Sequence, residues 1–194
     1  MRPVVAAMEG ATPGSLLIVS GPPGAGKSTV AALLAAASSP SVLVEGDAFF
    51  AFLASGAIAP WLPESHAQNT VVTEVAAAAT GRFARHGYHT VYDGVVGPWF
   101  LDEFVEATGI GELVDYVILL PSVERAVDRV RTRADHAFAD EAAARHMHSQ
   151  FEVAVDSGGF DRRHVVENDA GPPHETAAIV IARQREGLLR VRAG

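Results

Sequence analysis

The chain has 194 residues, enough for one domain with its own core, and a hydrophobic fraction of 48% that is typical of globular proteins. Its formal net charge of −8 does not favour a surface for nucleic acid or an anionic membrane, and the absence of cysteine excludes disulfides and thiolate sites. No apolar run approaches the ~20 residues of a transmembrane helix, and the amino-terminal run is too short for a secretory signal. We therefore expect a cytoplasmic protein.

Short apolar runs alternate with helical patterns along the chain. Continuous apolar runs predict buried strands at 16–20, 42–44, 89–92, 115–120 and 164–167. Helical patterns and capping residues predict helices at 27–37, 65–86, 123–133, from 140 onwards and at 175–186. The alternation predicts an α/β fold of three layers, in which a five-stranded parallel sheet has helices on both faces. We expect residues 1–14 to be a loose lead-in and 15–194 a single domain.

A complete phosphate-binding motif, G-x-x-x-x-G-K-[ST], follows the first strand between Gly21 and Thr29. In such a P-loop, glycines let backbone N–H groups curl around phosphates, and the start of the next helix adds its positive end. Lys27, which is the only lysine beside fourteen arginines, is expected to reach the β- and γ-phosphates. The Ser28 hydroxyl is expected to hold one position on Mg²⁺. The motif predicts a P-loop NTPase fold that binds ATP and Mg²⁺ through Gly21, Gly24, Ala25, Gly26, Lys27, Ser28 and Thr29.

The P-loop predicts nucleotide binding but not the reaction. A GTPase needs an Asn-Lys-x-Asp motif to recognise the base, and the single lysine of this chain already belongs to the P-loop. ATPases of the motor type usually end the Walker B strand in Asp-Glu, whereas the third predicted strand ends in Asp93-Gly94. The sequence therefore favours phosphoryl transfer over hydrolysis.

Acidic residues stand at the ends of two predicted strands, at Asp47 and Asp93. The carboxyl ends of the strands form the site in an open α/β sheet, so both acids are expected near the γ-phosphate. Asp47 opens into the apolar residues 48–50, which suit an acceptor pocket, and we predict it to be the base or orienting group for the acceptor hydroxyl. Asp93 is predicted to hold Mg²⁺ through water. The opposite assignment and a turn role for either acid stay open.

Arg125, Arg129 and Arg133 are spaced i, i+4, i+8 on one face of the helix predicted after the fourth strand. They lead into a predicted lid near 133–140. Guanidinium groups at this position can clamp the oxygens of the transferring phosphoryl group, and Arg133 is the candidate for a catalytic role in the transition state. The alternative is a solvated helix face with local ion pairs.

Taken together, the P-loop, the two acidic strand ends and the Arg129-x-x-x-Arg133 pair resemble the small-molecule P-loop kinases of the chloramphenicol phosphotransferase, gluconate kinase and shikimate kinase types. The resemblance covers most of residues 15–187, and residues 60–69 with 148–151 resemble a largely uncharacterised group of bacterial ATP-binding proteins within that class. It implies the strand order 2-3-1-4-5. It also implies that Asp47 contacts the substrate hydroxyl, Arg129 the adenine and Arg133 the phosphates. The substrate motifs of gluconate and shikimate kinases are not evident.

These observations predict an ATP-dependent kinase that phosphorylates a hydroxyl of a small molecule, either a metabolite or an antibiotic. Trp61, His66, Gln68 and Asn69 are candidates for the acceptor pocket, although a packed loop and an exposed helix start explain them equally well. Residues 168–171 follow the fifth strand, where such kinases often surround adenine. A polynucleotide or RNA-end kinase, which the net charge disfavours, and a nucleotide-binding switch protein without turnover stay open. The acceptor's identity and the oligomeric state are not predicted.

Overall fold

The structure, a computed structural model, describes residues 14–111, 114–132, 140–157 and 160–191. Five strands form one parallel sheet in the order β2-β3-β1-β4-β5, which confirms the predicted fold class and strand order. The strands are β1 (Leu16–Ser20), β2 (Ser41–Glu45), β3 (His89–Asp93), β4 (Val114–Leu119) and β5 (Val165–Val166).

Seven α-helices among the described residues surround the sheet. They are α1 (Lys27–Ala36), α2 (Asp47–Phe50), α3 (His66–Arg85), α4 (Leu101–Thr108), α5 (Val123–Thr132), α6 (Glu141–Asp156) and α7 (Pro173–Arg185). None of the helices in these ranges is long and apolar enough to cross a membrane.

Alternate residues of the central strand face two separate cores. Leu16 and Ile18 are fully buried in a cluster that contains side chains of α3, α4 and α6. Leu17 and Val19 are fully buried in a second cluster, formed mainly with α1 and α7. A strand that is covered on both faces has no polar side, and this is why the sequence of β1 is continuously apolar.

Two helices were not predicted from the sequence. Helix α4 buries Leu101, Phe104, Val105 and Thr108, at i, i+3, i+4 and i+7, so its periodicity is helical but spans only two turns. Helix α2 has four residues, none of them buried, and therefore carries no apolar period. The predicted helix continuation at Arg133, the loose lead-in except for Gly14, and the lid except for Asp140 lie outside the described residues.

The buried ring of His164 makes the stability of the fold depend on pH. Its Nδ1 lies 2.9 Å from the Tyr116 carbonyl oxygen, and its Nε2 accepts a hydrogen bond from Arg163 Nε at 3.1 Å, which requires a neutral ring. Burial lowers the pKa of His164 from its ordinary 6.5, and the bond to Tyr116 partly opposes this shift. Below about pH 6.5, His164 therefore binds a proton more readily in the unfolded chain than in the folded chain.

We therefore expect the free energy of unfolding to fall as the pH decreases below about 6.5, by at most ~1.4 kcal/mol per pH unit for this histidine. Urea titrations between pH 7.5 and 5 measure the slope. His164→Gln should lower the stability at pH 7.5 but flatten the decrease, and an unchanged slope in this variant would contradict the prediction. Some slope should remain because burial also lowers the pKa of His89.

Candidate active site

The P-loop connects β1 to α1 in a conformation that glycine allows. Gly24 and Gly26 have φ angles of 79° and 87°, in the left-handed region that side chains disfavour. A Cβ atom on Gly24 would lie 2.1 Å from the carbonyl oxygen of Ala126, so the loop packs directly against α5. Gly26 serves as the N-cap of α1. The predicted motif thus has the local structure that its function requires.

The first turn of α1 is free to bind an anion. No side chain of the described residues caps this helix, and its first turn contains no acidic residue. Its backbone N–H groups and positive helix end therefore remain for a ligand. Lys27 folds back over the loop, where its Nζ donates to the Pro22 carbonyl oxygen at 3.1 Å, and Ser28 and Thr29 are exposed beside it. This arrangement suits the phosphates and the Mg²⁺ ion of ATP.

A cavity of about 390 Å³ opens next to these groups. It is lined by the P-loop, α1, α5, the segment between β5 and α7, and the start of α7. Its side chains include Arg125, Arg129, Asn168 and Thr176. Its position beside the phosphate loop suits the nucleoside part of a nucleotide, and we call it the nucleotide cavity. The predicted i, i+4 spacing brings Arg125 and Arg129 to this one cavity.

Arg129 and Asn168 join the P-loop to the segment after β5. Arg129 donates from Nη2 to the Asn168 carbonyl oxygen at 3.0 Å and from Nη1 to the Gly24 carbonyl oxygen at 3.3 Å. Asn168 Nδ2 donates to the Ala25 carbonyl oxygen at 2.8 Å, while its buried Oδ1 has no protein partner in the described structure. Burial, followed by the charge of Arg125, lowers the pKa of Arg129 from its ordinary value. Arg129 therefore holds the loop as well as lining the nucleotide cavity.

Arg129→Ala should weaken ATP binding about tenfold, since it removes charge-assisted hydrogen bonds worth about 1.5 kcal/mol or more in total. Calorimetric titration with Mg·ATP measures the effect. Arg131→Ala is the matched control, because Arg131 lies on the same helix but forms an exposed ion pair with Glu141 at 2.8 Å. Equal affinities of the two variants would contradict the assignment.

Both predicted acids lie at the carboxyl edge of the sheet. Asp93 ends β3, is 8% exposed, and is in register with Val19 on β1, the strand that leads into the P-loop. Asp47 is exposed and begins α2, one strand further from the P-loop. Their placement agrees with Asp93 beside the phosphates and Asp47 towards an acceptor. Their chemical roles remain predictions.

Sequence analysis did not identify Tyr92, whose side chain is close enough to both acids to be affected by their charges. Its ring packs on Phe104 at a centroid distance of 4.7 Å, and a Cβ atom on Gly46 would lie 2.3 Å from its hydroxyl. Burial raises the pKa of Tyr92, and the charges of Asp47 and then Asp93 raise it further. The hydroxyl therefore stays protonated near both carboxylates. The only feature of the sequence that could have identified Tyr92 as a site residue is its position directly before Asp93, the acid at the end of β3.

A buried hydroxyl fixes the segment after β3 next to the P-loop. Ser20 Oγ donates to the Val96 carbonyl oxygen at 2.6 Å and accepts from the Val96 N–H at 3.1 Å. The Tyr116 hydroxyl donates to the same carbonyl oxygen at 2.6 Å. The end of β1 and the middle of β4 are thereby joined to the segment after β3.

The predicted acceptor residues separate into two groups. Gln68 and Asn69 fasten the loop before α3, because Gln68 bonds both backbone groups of Ile58 at 2.8 and 2.7 Å and Asn69 donates to the Pro60 carbonyl oxygen at 2.7 Å. Trp61 is 37% exposed, and His66 stacks on Phe100 at a centroid distance of 5.8 Å. The two amide side chains thus have a structural role, whereas Trp61 lies on the exposed loop before α3 and His66 is the first residue of α3. Arg133 lies outside the described residues.

The AAA domain family AAA_33 matches residues 16–154 of the chain. No curated protein matches it. Among solved structures, the Acinetobacter baumannii shikimate kinase in complex with shikimate has a TM-score of 0.63 at 18% identity, covering 90% of this chain and 94% of that chain. The Deinococcus radiodurans tunicamycin resistance protein has a TM-score of 0.62 at 12% identity, with coverage of 92% and 98%.

A third similar structure is a chain of the Pnkp1/Rnl/Hen1 RNA repair complex, with a TM-score of 0.60 at 20% identity. The alignment covers 80% of this chain but only 49% of that chain, so this protein spans about half of its length. At such identities the three structures show a common fold. They do not identify the acceptor.

Proposed function

The chain belongs to the AAA domain family AAA_33, and we propose that it is an ATP-dependent kinase that transfers the γ-phosphoryl group to a hydroxyl of a small molecule. The observation that carries the proposal is the meeting of three features at one edge of the sheet. These are a complete P-loop on a helix without a side-chain cap among the described residues, a nucleoside-sized cavity beside it, and two carboxylates at or just after the ends of neighbouring strands.

In the proposed reaction, the chain's own residues hold and orient the reacting groups. Lys27 and the N–H groups of the P-loop bind the β- and γ-phosphates, and Ser28 and Asp93 hold Mg²⁺, directly or through water. Mg²⁺ usually takes only one or two protein ligands when substrate phosphates complete its coordination, which fits this pair. Mg²⁺ held by these residues would supply positive charge to the phosphates while the bond from the γ-phosphorus to the leaving oxygen of ADP breaks.

Asp47 is proposed to accept the proton of the acceptor hydroxyl as that oxygen attacks the γ-phosphorus atom. Such positioned proton transfer contributes roughly 10²–10⁴ in rate. Arg129 positions the P-loop and contacts the nucleotide, and Arg133 is proposed, from the sequence alone, to stabilise the charge of the transferring phosphoryl group. The Tyr92 hydroxyl, a protonated donor beside Asp47, is suited to orient that carboxylate.

The test is an ATP-consumption screen over hydroxylated metabolites and antibiotics with Mg²⁺ present. Mass spectrometry should show a product heavier by one phosphoryl group, which the Lys27→Ala protein does not form. Oligonucleotides with a free 5′-hydroxyl belong in the same screen. Preferential phosphorylation of these would replace the proposal by an RNA-end kinase, whereas tight ATP binding without transfer to any acceptor would favour a switch protein.

A further inference from the structure

Cationic residues are distributed unevenly along the sequence. No lysine or arginine occurs in residues 28–81 or in residues 86–124. These intervals contain both segments that leave the carboxyl ends of β2 and β3 and lead into α3 and α4, at 46–65 and 94–100. We call these two segments the acceptor edge. Recognition of a carboxylate or phosphate usually needs an arginine or lysine, and neither segment provides one.

The arginines of neighbouring elements whose contacts the structure gives are directed elsewhere, and the exposed Arg145 of α6 acts on Glu141 at the start of that helix. Arg125 and Arg129 line the nucleotide cavity, and Arg131 pairs with Glu141 on α6. Arg85 donates to the Thr108 carbonyl oxygen near the end of α3, and that end precedes β3 and so lies at the opposite edge of the sheet. Arg183 donates to the Arg163 carbonyl oxygen, also at the edge where β5 begins.

The acceptor edge and the helix that follows it are acidic. Asp47 and Glu64 are exposed within the edge, Asp93 precedes its second segment, and Asp102 and Glu103 are exposed in the first turn of α4. The bound phosphates of ATP would add further negative charge. An anionic acceptor on this edge would thus meet charges of its own sign, because the cations of the proposed mechanism are engaged by the phosphates of ATP.

Large apolar side chains are exposed on the same segments. Phe52 is 73% exposed, Leu62 45%, Trp99 42% and Trp61 37%. Trp99 packs on Phe151 of α6 at a centroid distance of 5.3 Å, which connects this surface to the helix after the predicted lid. Aromatic rings arranged beside a few polar groups are typical of pockets for apolar or aromatic ligands.

We propose that the phosphoryl acceptor is an aromatic, hydroxyl-bearing small molecule without negative charge, bound against Trp61 and Trp99 with its hydroxyl directed to Asp47. The inference rests on the proposed kinase function and adds the chemical class of the acceptor. A cationic group on the acceptor would be favoured by the carboxylates and by the faces of the aromatic rings. An acceptor with a carboxylate, a phosphate or a polynucleotide backbone would be disfavoured.

Binding can be measured without turnover, because the two tryptophans of the acceptor edge are the only ones in the chain. The probes are 2-phenylethanol, 2-phenylethylamine and phenylacetate, which have nearly the same size but are neutral, cationic and anionic. We expect the first two to quench the tryptophan fluorescence with a Kd about tenfold lower than phenylacetate, because like charges disfavour the anion. Single Trp61→Phe and Trp99→Phe variants show which ring reports the binding.

Leu62→Arg places a cation on the acceptor edge at an exposed position and should reduce the discrimination against phenylacetate. Phenylacetate binding as tightly as the neutral probe, or no quenching by any probe, would overturn the inference. In the ATP-consumption screen, preferential phosphorylation of anionic acceptors would overturn it and leave the kinase function standing. Selective binding of the neutral and cationic probes without transfer to any acceptor would instead refute the kinase function alone.

Discussion

Lys27→Ala is expected to reduce phosphoryl transfer by at least roughly 10²–10³-fold, the effect of removing one preorganised group that stabilises charge in a transition state. Lys27 lies at the start of α1 and bends over the P-loop towards the Pro22 carbonyl oxygen, so its ammonium group is already held where phosphates would bind. The nearby Arg125 and Arg129 line the nucleotide cavity but cannot reproduce its position. The fold should survive, since the side chain is not part of either core.

Kinetics and calorimetric titration with Mg·ATP measure the rate and the affinity, and a thermal melt shows whether the fold survives. An unchanged rate and affinity in Lys27→Ala would contradict the assignment. The unmodified protein offers an independent check because the chain has no second lysine. An amine-selective reagent can modify only Lys27 and the terminal amine, and ATP should protect Lys27 alone in peptide mapping.

Asp47→Asn should lower kcat by about 10²–10⁴-fold at constant affinity for Mg·ATP, because it removes the proposed base for the acceptor hydroxyl. Asp93→Asn should instead raise the Mg²⁺ concentration needed for half-maximal activity. The difference follows from their positions: Asp93 is in register with the end of the P-loop strand, whereas Asp47 is one strand further out.

Rates measured over a series of Mg²⁺ concentrations separate the two roles. Glu45→Gln is the control, since Glu45 is an exposed acid at the end of β2, two residues before Asp47, and has no proposed role. A magnesium defect in Asp47→Asn together with a pure loss of kcat in Asp93→Asn would reverse the assignment. A similar loss in Glu45→Gln would show that the rate responds to general negative charge at this edge.

Local patterns predicted the framework of the site. The strand at Leu16–Ser20 was predicted with its observed bounds because a run covered on both faces is continuously apolar, and the P-loop was predicted because its chemistry fixes residue types at fixed spacing. The strand ends that carry Asp47 and Asp93 followed from the same runs. Helix α4 was missed because two turns are too short to separate helical from irregular spacing.

Contacts between residues distant in sequence could not be predicted in this way. The bond from Asn168 to the Ala25 carbonyl oxygen spans 143 positions, and the bond between Ser20 and Val96 spans 76. Neither contact leaves a period or a motif, because each depends on the order in which the strands assemble. The effect of both acids on Tyr92 likewise depends on the register of β2 against β3.

The buried bond pair between Ser20 and Val96 has a consequence for the dynamics of the site. Both backbone groups of Val96 are used inside the protein, so its amide can exchange with solvent only if the end of β1 separates from the segment after β3. We therefore expect the entrance of the P-loop and the segment that follows Asp93 to open together, as one cooperative unit. Slow hydrogen exchange at Val96 should accordingly follow global unfolding, with or without nucleotide, and the mobility needed for catalysis must come from other parts of the chain.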